Sequence, residues 1–184
     1  DFYEAFYEDA ELISRVLEIT LTARSHKNQK EVAPPMAGIP HHALDSYLYK
    51  LVKAGYKVAI LEQIEDAKQA RDENRLVKRD VVRIVTPGTL TDPKVLDQKE
   101  NNYLVAIYQL KEAYGLAIVD LSTGEFTVTE LADFTKLWAE LYRFGPKECL
   151  FSESFDDQEM LERLRLDLKA VANFLPEWRF AHDT

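Results

Sequence analysis

The chain opens with DFYEAFYEDAELISRVLEI, residues 1–19, and this stretch decides how the first part of the molecule is organised. If its first residues are extended, side chains two positions apart point to the same side of the backbone. Phe2 and Glu4 then share one face, while Tyr3 points to the other. A ring that can stack on a base would lie beside a carboxylate that can bond to the base edge. The structural alternative is a hydrophobic staple and a first-turn acid that complements the helix dipole.

The following residues predict an alternation of helices and strands. Residues 3–19 carry an apolar stripe at helical spacing, formed by Phe6, Ala10, Ile13 and Leu17. Three short segments come next: a strand over 20–24, a mobile polar loop over 25–35, and a compact turn over 36–40 in which Gly38 supplies a special backbone angle. The remaining elements are a helix over 44–52 closed by Gly55, a buried strand over 56–61, a helix over 62–74 and a strand over 81–86.

Residues 90–102 lose both apolar periodicity and aromatic residues, which predicts a linker at 93–102 between domains 1–92 and 103–184. Strands are predicted over 103–110, 114–121 and 125–131, then a helix starting near Phe134, a strand over 148–151 and a helix over 156–168. This succession is that of an RNase H-like fold. We therefore expect an α/β (α+β) protein, with a mixed-sheet domain followed by a truncated RNase H-like domain.

The charge of the chain is unevenly distributed. The formal net charge is −9, of which residues 1–92 contribute −2 and residues 93–184 contribute −7. An acidic chain is a poor free-standing binder of nucleic acid, so any polyanion contact belongs to the first part, with basic surface supplied from elsewhere. Cys149 is the single cysteine, and no apolar run is long enough for a membrane span, which suits a cytoplasmic protein without membrane contact.

The sequence gives little support for catalysis. None of the six glycines is followed by Lys, so a phosphate-cradling loop is not predicted. His41 and His42 are adjacent and do not have the spacing of zinc ligands, so no metal site is predicted and a helix-start or core-edge role is favoured. Asp120, in a strand before Ser122 and Gly124, leaves open a metal-dependent RNase H-like nuclease, which would need several convergent carboxylates.

Three motifs carry a resemblance to a known family: DFYEAFYEDA at 1–10, PMAGIPHHALDSYLYKLVKAGYKVAILEQIED at 35–66 and KRDVVRIVTPGTLTD at 78–92. Together they resemble the mismatch-binding domain of the MutS family of DNA mismatch-repair proteins, and the rest resembles part of its connector domain. The resemblance implies that Phe2 stacks on a mispaired or unpaired base from the minor groove and that Glu4 hydrogen-bonds to it. Arg24 and Arg79 resemble residues that contact the DNA backbone, and Met36 resembles a residue of the loop beside Phe2.

The resemblance also implies properties of a larger protein. The second domain would relay signals to an ATPase domain, which would hold ATP and magnesium and lies outside this fragment, so the fragment itself is expected to be neither an enzyme nor cofactor-dependent. Mismatched double-stranded DNA, MutL at the connector domain and a second full-length copy are the expected partners, in the bacterial cytoplasm at the nucleoid. Two alternatives stay open: the nuclease using Asp120, and a protein-interaction module without DNA contact.

Overall fold

The computed structural model describes residues 1–23, 33–91 and 101–181, and the chain forms two compact units, Asp1–Ile84 and Val85–Thr184. The strands that begin in the first unit are β1 (Phe2–Phe6), β2 (Thr22–Ala23), β3 (Pro35–Pro40), β4 (Val58–Gln63) and β5 (Arg79–Val85). Its helices are α1 (Tyr7–Leu17), α2 (Leu44–Lys53) and α3 (Ala67–Asp72), with a 3₁₀ turn at His41–Ala43.

The first unit contains a three-stranded sheet in the order β1-β3-β2 and a two-stranded sheet of β4 and β5. β1 and β3 are antiparallel, and the register places Phe2 opposite Pro40, Glu4 opposite Gly38 and Phe6 opposite Met36. Helix α1 packs on one face of this sheet and against α2. The core between them consists of Ala10, Ile13, Leu17, Ala37, Ile39 and Leu51. Burial of this apolar stripe is what makes α1 stable, as expected for an amphipathic helix.

Two predictions for the first 40 residues were wrong. The helix starts at Tyr7, since residues 2–6 form β1 and Phe6 is 43% exposed instead of buried. Pairing with β3 overrides the helical spacing of Phe6, and a positive φ of 56° at Tyr7 turns the strand directly into the helix. The segment 36–40 is strand β3 instead of a turn, and Gly38 does not have a positive φ. The predicted strand 20–24 is reduced to Thr22–Ala23, and most of the predicted loop lies outside the described residues.

The later part of the first unit agrees more closely with its prediction. Helix α2 is present, and Gly55 follows it with φ 92°, in the conformation that favours glycine at a helix end. The predicted helix 62–74 is confined to α3, because β4 extends through Gln63. β4 is not a buried strand, since Ile60 is its buried residue and Leu61 is exposed. His41 and His42 open the turn before α2, which confirms their helix-start role.

The second unit contains β6 (Tyr103–Leu110), β7 (Ala113–Asp120), β8 (Glu125–Leu131), β9 (Glu148–Ser152) and β10 (Val171–Leu175), with α4 (Phe134–Phe144), α5 (Gln158–Arg163) and a π-helical turn at Leu164–Leu168. These five strands form one mixed sheet in the order β10-β9-β6-β7-β8. β6, β7 and β8 are antiparallel neighbours, and β9 is parallel to both β6 and β10. The meander and the RNase H-like succession are confirmed, whereas strand β10 was not predicted.

The second unit has a continuous apolar core between one face of its sheet and the helices. Val105, Ile107, Leu116, Ile118, Leu137, Leu141, Phe151, Met160 and Leu164 are among its buried members. Asp133 caps α4 by accepting a hydrogen bond from the Lys136 backbone N–H at 2.9 Å, and Gly145 ends that helix with φ 58°. These caps satisfy helix-end groups that would otherwise lack partners.

The segment Thr86–Leu90 and Asn102 belong to the second unit. Gly88 donates its backbone N–H to Glu148 Oε2 at 2.9 Å, and the Asn102 side-chain amide donates to the carbonyls of Pro87 and Leu90. Most of the predicted linker 93–102, and with it the predicted boundary at residue 92, lies in residues 92–100 outside the described chain, so the boundaries remain a prediction. Within the described residues no helix is long and apolar enough to cross a membrane.

Candidate nucleic-acid interface

One face of the three-stranded sheet carries Phe2 and Glu4, the two residues predicted to read the mismatch and together called the reader. Because side chains alternate along β1, Phe2, Glu4 and Phe6 point away from α1, and all three are exposed. Phe2 is 63% exposed, a large fraction for a phenylalanine held in a paired strand. The expectation that Phe2 and Glu4 share a face is confirmed, and Tyr3 points to the opposite side. The ring and the carboxylate are therefore presented together to an incoming ligand.

The neighbouring strand β3 shapes the surface beside the Phe2 ring. Gly38 lies opposite Glu4, and a Cβ placed on Gly38 would come within 3.4 Å of Phe2 Cδ1. Gly38 therefore leaves a flat space beside the Phe2 ring, and since its φ is not positive it does not supply a special backbone angle. Met36 is partly exposed and lies opposite both Phe6 and Thr22. It shares the face with Phe2, but it belongs to a strand instead of the predicted loop.

The other side of β1 is held by Tyr3. Its hydroxyl donates a short hydrogen bond to Glu62 Oε1 on β4, and its ring stacks on His41 with centroids 5.3 Å apart and planes inclined by 13°. The hydrogen bond to Glu62, with burial and the charges of Glu62 and Asp45, raises the pKa of Tyr3. The His41 backbone N–H donates to the carbonyl of Asp1 at 3.0 Å, which extends the pairing of β1 with β3 to the first residue.

The second sheet of this unit supplies basic side chains. Arg79 is exposed at the start of β5, next to Lys78. Arg75 fixes the connection between β4 and β5 by donating to Glu65 and Glu73. The Arg75 bond to Glu65, together with the one from the Lys78 backbone N–H, lowers the pKa of Glu65 to about 2. Arg83 lies 3.9 Å from Asp45, so its charge is partly balanced.

The structure brings together some of the predicted residues and not others. Phe2, Glu4 and Met36 share one sheet face, whereas Arg79 lies on the other sheet of the unit. Arg24 lies outside the described residues. Tyr3, Glu62 and His41 were not recognised as a group by the sequence analysis. The only available signal was the alternation that turns Tyr3 away from Phe2, since its partner Glu62 is 59 positions away.

Asp120 was the candidate for nuclease chemistry. It is completely buried, and its carboxylate accepts hydrogen bonds from the Ser122 hydroxyl at 2.6 Å, the Ser122 N–H at 2.8 Å and the Asn102 N–H at 3.2 Å. Burial alone raises the pKa of Asp120, but these hydrogen bonds outweigh it and hold the pKa below its usual value. Among residues 1–23, 33–91 and 101–181, no group of three or more His, Cys, Asp or Glu side chains is placed to hold a metal ion. The carboxylate is thus occupied with closing the turn after β7.

Comparison with known proteins agrees with both units. The family model for MutS domain I matches residues 1–94, and the model for MutS domain II matches residues 102–184. The chain is 50% identical over 169 residues to the DNA mismatch repair protein MutS of Acetivibrio thermocellus, covering 90% of this chain and 19% of that protein. It is 45% identical over 184 residues to the MutS of Protochlamydia amoebophila, covering 99% of this chain and 20% of that protein.

The MutS of Methanococcoides burtonii is similar to the same extent, at 47% identity over 90% of this chain. The chain spans about a fifth of the length of the curated relatives it matches. The motifs at 1–10, 35–66 and 78–92 fall inside the matched range of the first model, and the RNase H-like unit corresponds to the second. The chain belongs to the MutS family of DNA mismatch-repair proteins and matches its domains I and II.

Proposed function

We propose that this chain recognises mismatched double-stranded DNA within a larger MutS protein, with Phe2 as the stacking residue and Glu4 as its hydrogen-bonding partner. The observation that carries the proposal is the exposure of the Phe2 ring on a strand whose opposite side is anchored. An exposed aromatic ring beside a carboxylate is costly to leave in water and suits a ligand that offers both an apolar face and polar edges. A DNA base offers both.

A mismatch contains ordinary bases, so a donor and acceptor code in the major groove cannot identify it. The resistance of the duplex to deformation can identify a mismatch. Inserting a ring at a base step costs a few kcal/mol of unstacking, and this cost falls where pairing is already defective. Phe2, projecting from a strand paired along its length with β3, is rigid enough to impose that deformation. Sites that yield easily are therefore bound more tightly than intact duplex.

Glu4 adds a second criterion for discrimination. Where a displaced base presents its edge, the Glu4 carboxylate can form a hydrogen bond to that edge. Against a well-stacked pair, where no base edge is presented, the ionised carboxylate is repelled by the phosphates. Glu4 therefore favours mismatch binding and disfavours binding to intact duplex.

Arg79 on β5 is assigned to a phosphate contact that positions the chain on DNA without reading the base. Arg24 is assigned to a contact with the DNA backbone, and Met36 is assigned a place beside Phe2, as the resemblance implies. The net charge of −9 means that strong binding requires basic surface beyond this chain. This requirement agrees with relatives that are about five times longer than the chain.

The remaining roles concern that larger protein. The second unit is assigned to relay between the reader and an ATPase that holds ATP and magnesium outside this chain, and to docking of MutL, in a full-length homodimer at the bacterial nucleoid. The family membership supports this assignment. So does the edge strand β8, where Phe126 and Val128 are exposed and available to a protein partner. The chain itself is assigned no catalytic step.

The test compares Phe2→Ala with Phe6→Ala in a full-length MutS protein carrying this chain. Both rings are exposed on the same face of β1, so the pair controls for loss of an aromatic surface. Stacking of a base on an aromatic side chain contributes about 1–3 kcal/mol, so Phe2→Ala should reduce the ratio of mismatch to homoduplex affinity by about five- to 150-fold. Phe6→Ala should leave the ratio near the wild-type value. A Phe2→Ala protein that retains the mismatch preference would show that the reader lies elsewhere.

A further inference from the structure

The inner side of β1, the strand that carries Phe2 and Glu4, is attached to the rest of the unit through Tyr3 and Glu62. β1 is the edge strand of its sheet and is five residues long. Of its side chains, Phe2, Glu4 and Phe6 face outward, so Tyr3 and Ala5 are the ones that can hold it from the inner side. Burying one alanine stabilises the strand little, because the gain scales with the apolar area removed from water. Most of the inner-side attachment must therefore come from Tyr3.

Both the ring and the hydroxyl of Tyr3 contact other parts of the unit. The ring lies against His41, and the hydroxyl donates to Glu62 on β4. These contacts tie the reader strand to the turn that follows β3 and to the second sheet of the unit. Since β4 pairs with β5, the same hydrogen bond joins the strand carrying Phe2 to the strand pair carrying Arg79.

We propose that Tyr3 and Glu62 are positioning residues for mismatch reading, which fix the orientation in which β1 presents Phe2 and Glu4 to the DNA. This inference rests on the proposed function. A ring that must enter a base step loses affinity if its strand has to be ordered at the moment of binding, because that conformational entropy is lost on association. With the Tyr3 hydroxyl bonded to Glu62, the strand is ordered beforehand.

The anchor is expected to act on discrimination more than on folding. Edge strands with few buried side chains open locally at a free energy well below that of global unfolding. Removal of the Tyr3 hydroxyl should therefore loosen β1 while the core around α1 stays folded, because that core is built from other residues. Intact duplex, which does not admit the ring, gains little from an ordered strand, whereas mismatched duplex gains the full benefit.

The experiment uses a full-length MutS protein carrying this chain with Tyr3→Phe, Glu62→Ala, both together, or Glu62→Gln. Tyr3→Phe and Glu62→Ala should each lower the ratio of mismatch to homoduplex affinity by about three- to tenfold, as for the net contribution of one intramolecular hydrogen bond that is not fully buried. The double variant should be no worse than the more affected single variant, because both remove the same bond. Glu62→Gln keeps an oxygen acceptor and should retain more of the ratio than Glu62→Ala.

Ser14→Ala is the matched control for a purely structural role. Its hydroxyl donates to the carbonyl of Ile19 at 2.7 Å in the same unit, at the end of α1 and away from β1. The control should lose stability comparable to Tyr3→Phe in thermal unfolding and keep the wild-type affinity ratio. If Ser14→Ala lowers the ratio as much as Tyr3→Phe, or if Tyr3→Phe keeps the wild-type ratio, the positioning role is overturned.

Phe2→Ala, measured in parallel, separates the two proposals. A ratio that falls in Phe2→Ala and not in Tyr3→Phe overturns the positioning role and leaves the proposed function in place. A ratio that survives Phe2→Ala overturns the proposed function itself. A ratio that falls in both, with partial retention in Glu62→Gln and full retention in Ser14→Ala, supports both.

Discussion

Phe2 and Glu4 lie on one face of β1 in the first unit and are exposed, whereas Glu148 and Phe151, three positions apart on β9 of the second unit, are buried. Glu148 is 2% exposed, and its two oxygens accept hydrogen bonds from the Gly88 N–H and from the Asn173 amide at 2.9 and 2.7 Å. The same residue types are thus buried inside one unit and exposed at the surface of the other. The exposed pair can be reached by a ligand, whereas the buried Glu148 carboxylate is enclosed by groups of its own unit.

The contrast between the buried strand β9 and the exposed face of β1 can be tested most strongly by the reaction rates of cysteine thiols at the two places. Cys149 follows Glu148, and its side chain is completely buried. Burial, together with the charge of Glu148, raises the pKa of Cys149 to about 12, so little reactive thiolate exists at pH 8. A thiol reagent should modify Cys149 in the folded chain at least about a thousandfold more slowly than in urea, since reaction requires opening of the unit. A cysteine introduced by Phe6→Cys on the exposed face should react at once. Similar rates at the two positions would remove the contrast between the units.

A smaller effect is expected from filling the space at Gly88. A Cβ there would lie 2.9 Å from the Cβ of Glu148 and 3.0 Å from that of Leu104, both on buried strands. Gly88→Ala should lower the free energy of unfolding of the 184-residue chain by about 1–3 kcal/mol in urea titration, the range for overpacking. Gly115→Ala in β7 is the control, because its Cβ would meet atoms no closer than 3.9 Å. An equal loss in both variants would show that close packing at Gly88 is not the cause.

Glu4→Ala tests the exposed carboxylate. In a full-length MutS protein carrying this chain, the affinity for mismatched duplex should fall relative to homoduplex by about tenfold, as for loss of one hydrogen bond involving a charged or buried group. Glu8→Ala, which removes an exposed acid from the first turn of α1, controls for net charge. An unchanged ratio for Glu4→Ala would remove this residue from the mechanism.

Arg79→Ala should have the smallest effect on discrimination. Loss of one phosphate contact weakens binding to all duplexes alike and reduces the dependence of log affinity on log salt concentration by about one unit. Arg143→Ala, which removes a surface cation of the second unit paired with Glu140, should leave both quantities unchanged. A selective loss of mismatch affinity in Arg79→Ala would instead place this arginine among the base-reading residues.

Local patterns predicted much of this fold. The meander of β6, β7 and β8 follows from alternation between turns, and α4 follows from its apolar stripe and cap. β1 was missed because pairing with a distant segment overrides local helical spacing, and β3 was missed because Gly38 and Pro40 are residues typical of turns. β10 was missed because a short parallel strand carries no alternation of its own and depends on its neighbour β9.

The candidate site likewise contains features that local sequence patterns predict and features that depend on tertiary contacts. The shared face of Phe2 and Glu4 follows from the two-residue period of a strand and needs no tertiary information. The Tyr3 bond to Glu62 and the flat space at Gly38 depend on which strands become neighbours, and a single sequence does not carry that information at either position. The exposure of Phe2 decides that its ring is accessible to a ligand. This exposure follows from the placement of the core on the opposite side of the sheet.

The central claim is that Phe2 selects DNA by how easily the duplex yields. Affinities should be measured at one salt concentration for duplexes of equal length whose central position is a G·C pair, a G·T mismatch or an unpaired T, with a full-length MutS protein carrying this chain. The account predicts that affinity increases as the local melting free energy decreases, and that this dependence disappears in Phe2→Ala and persists in Phe6→Ala. A Phe2→Ala protein whose affinity still follows the melting free energy would contradict the account.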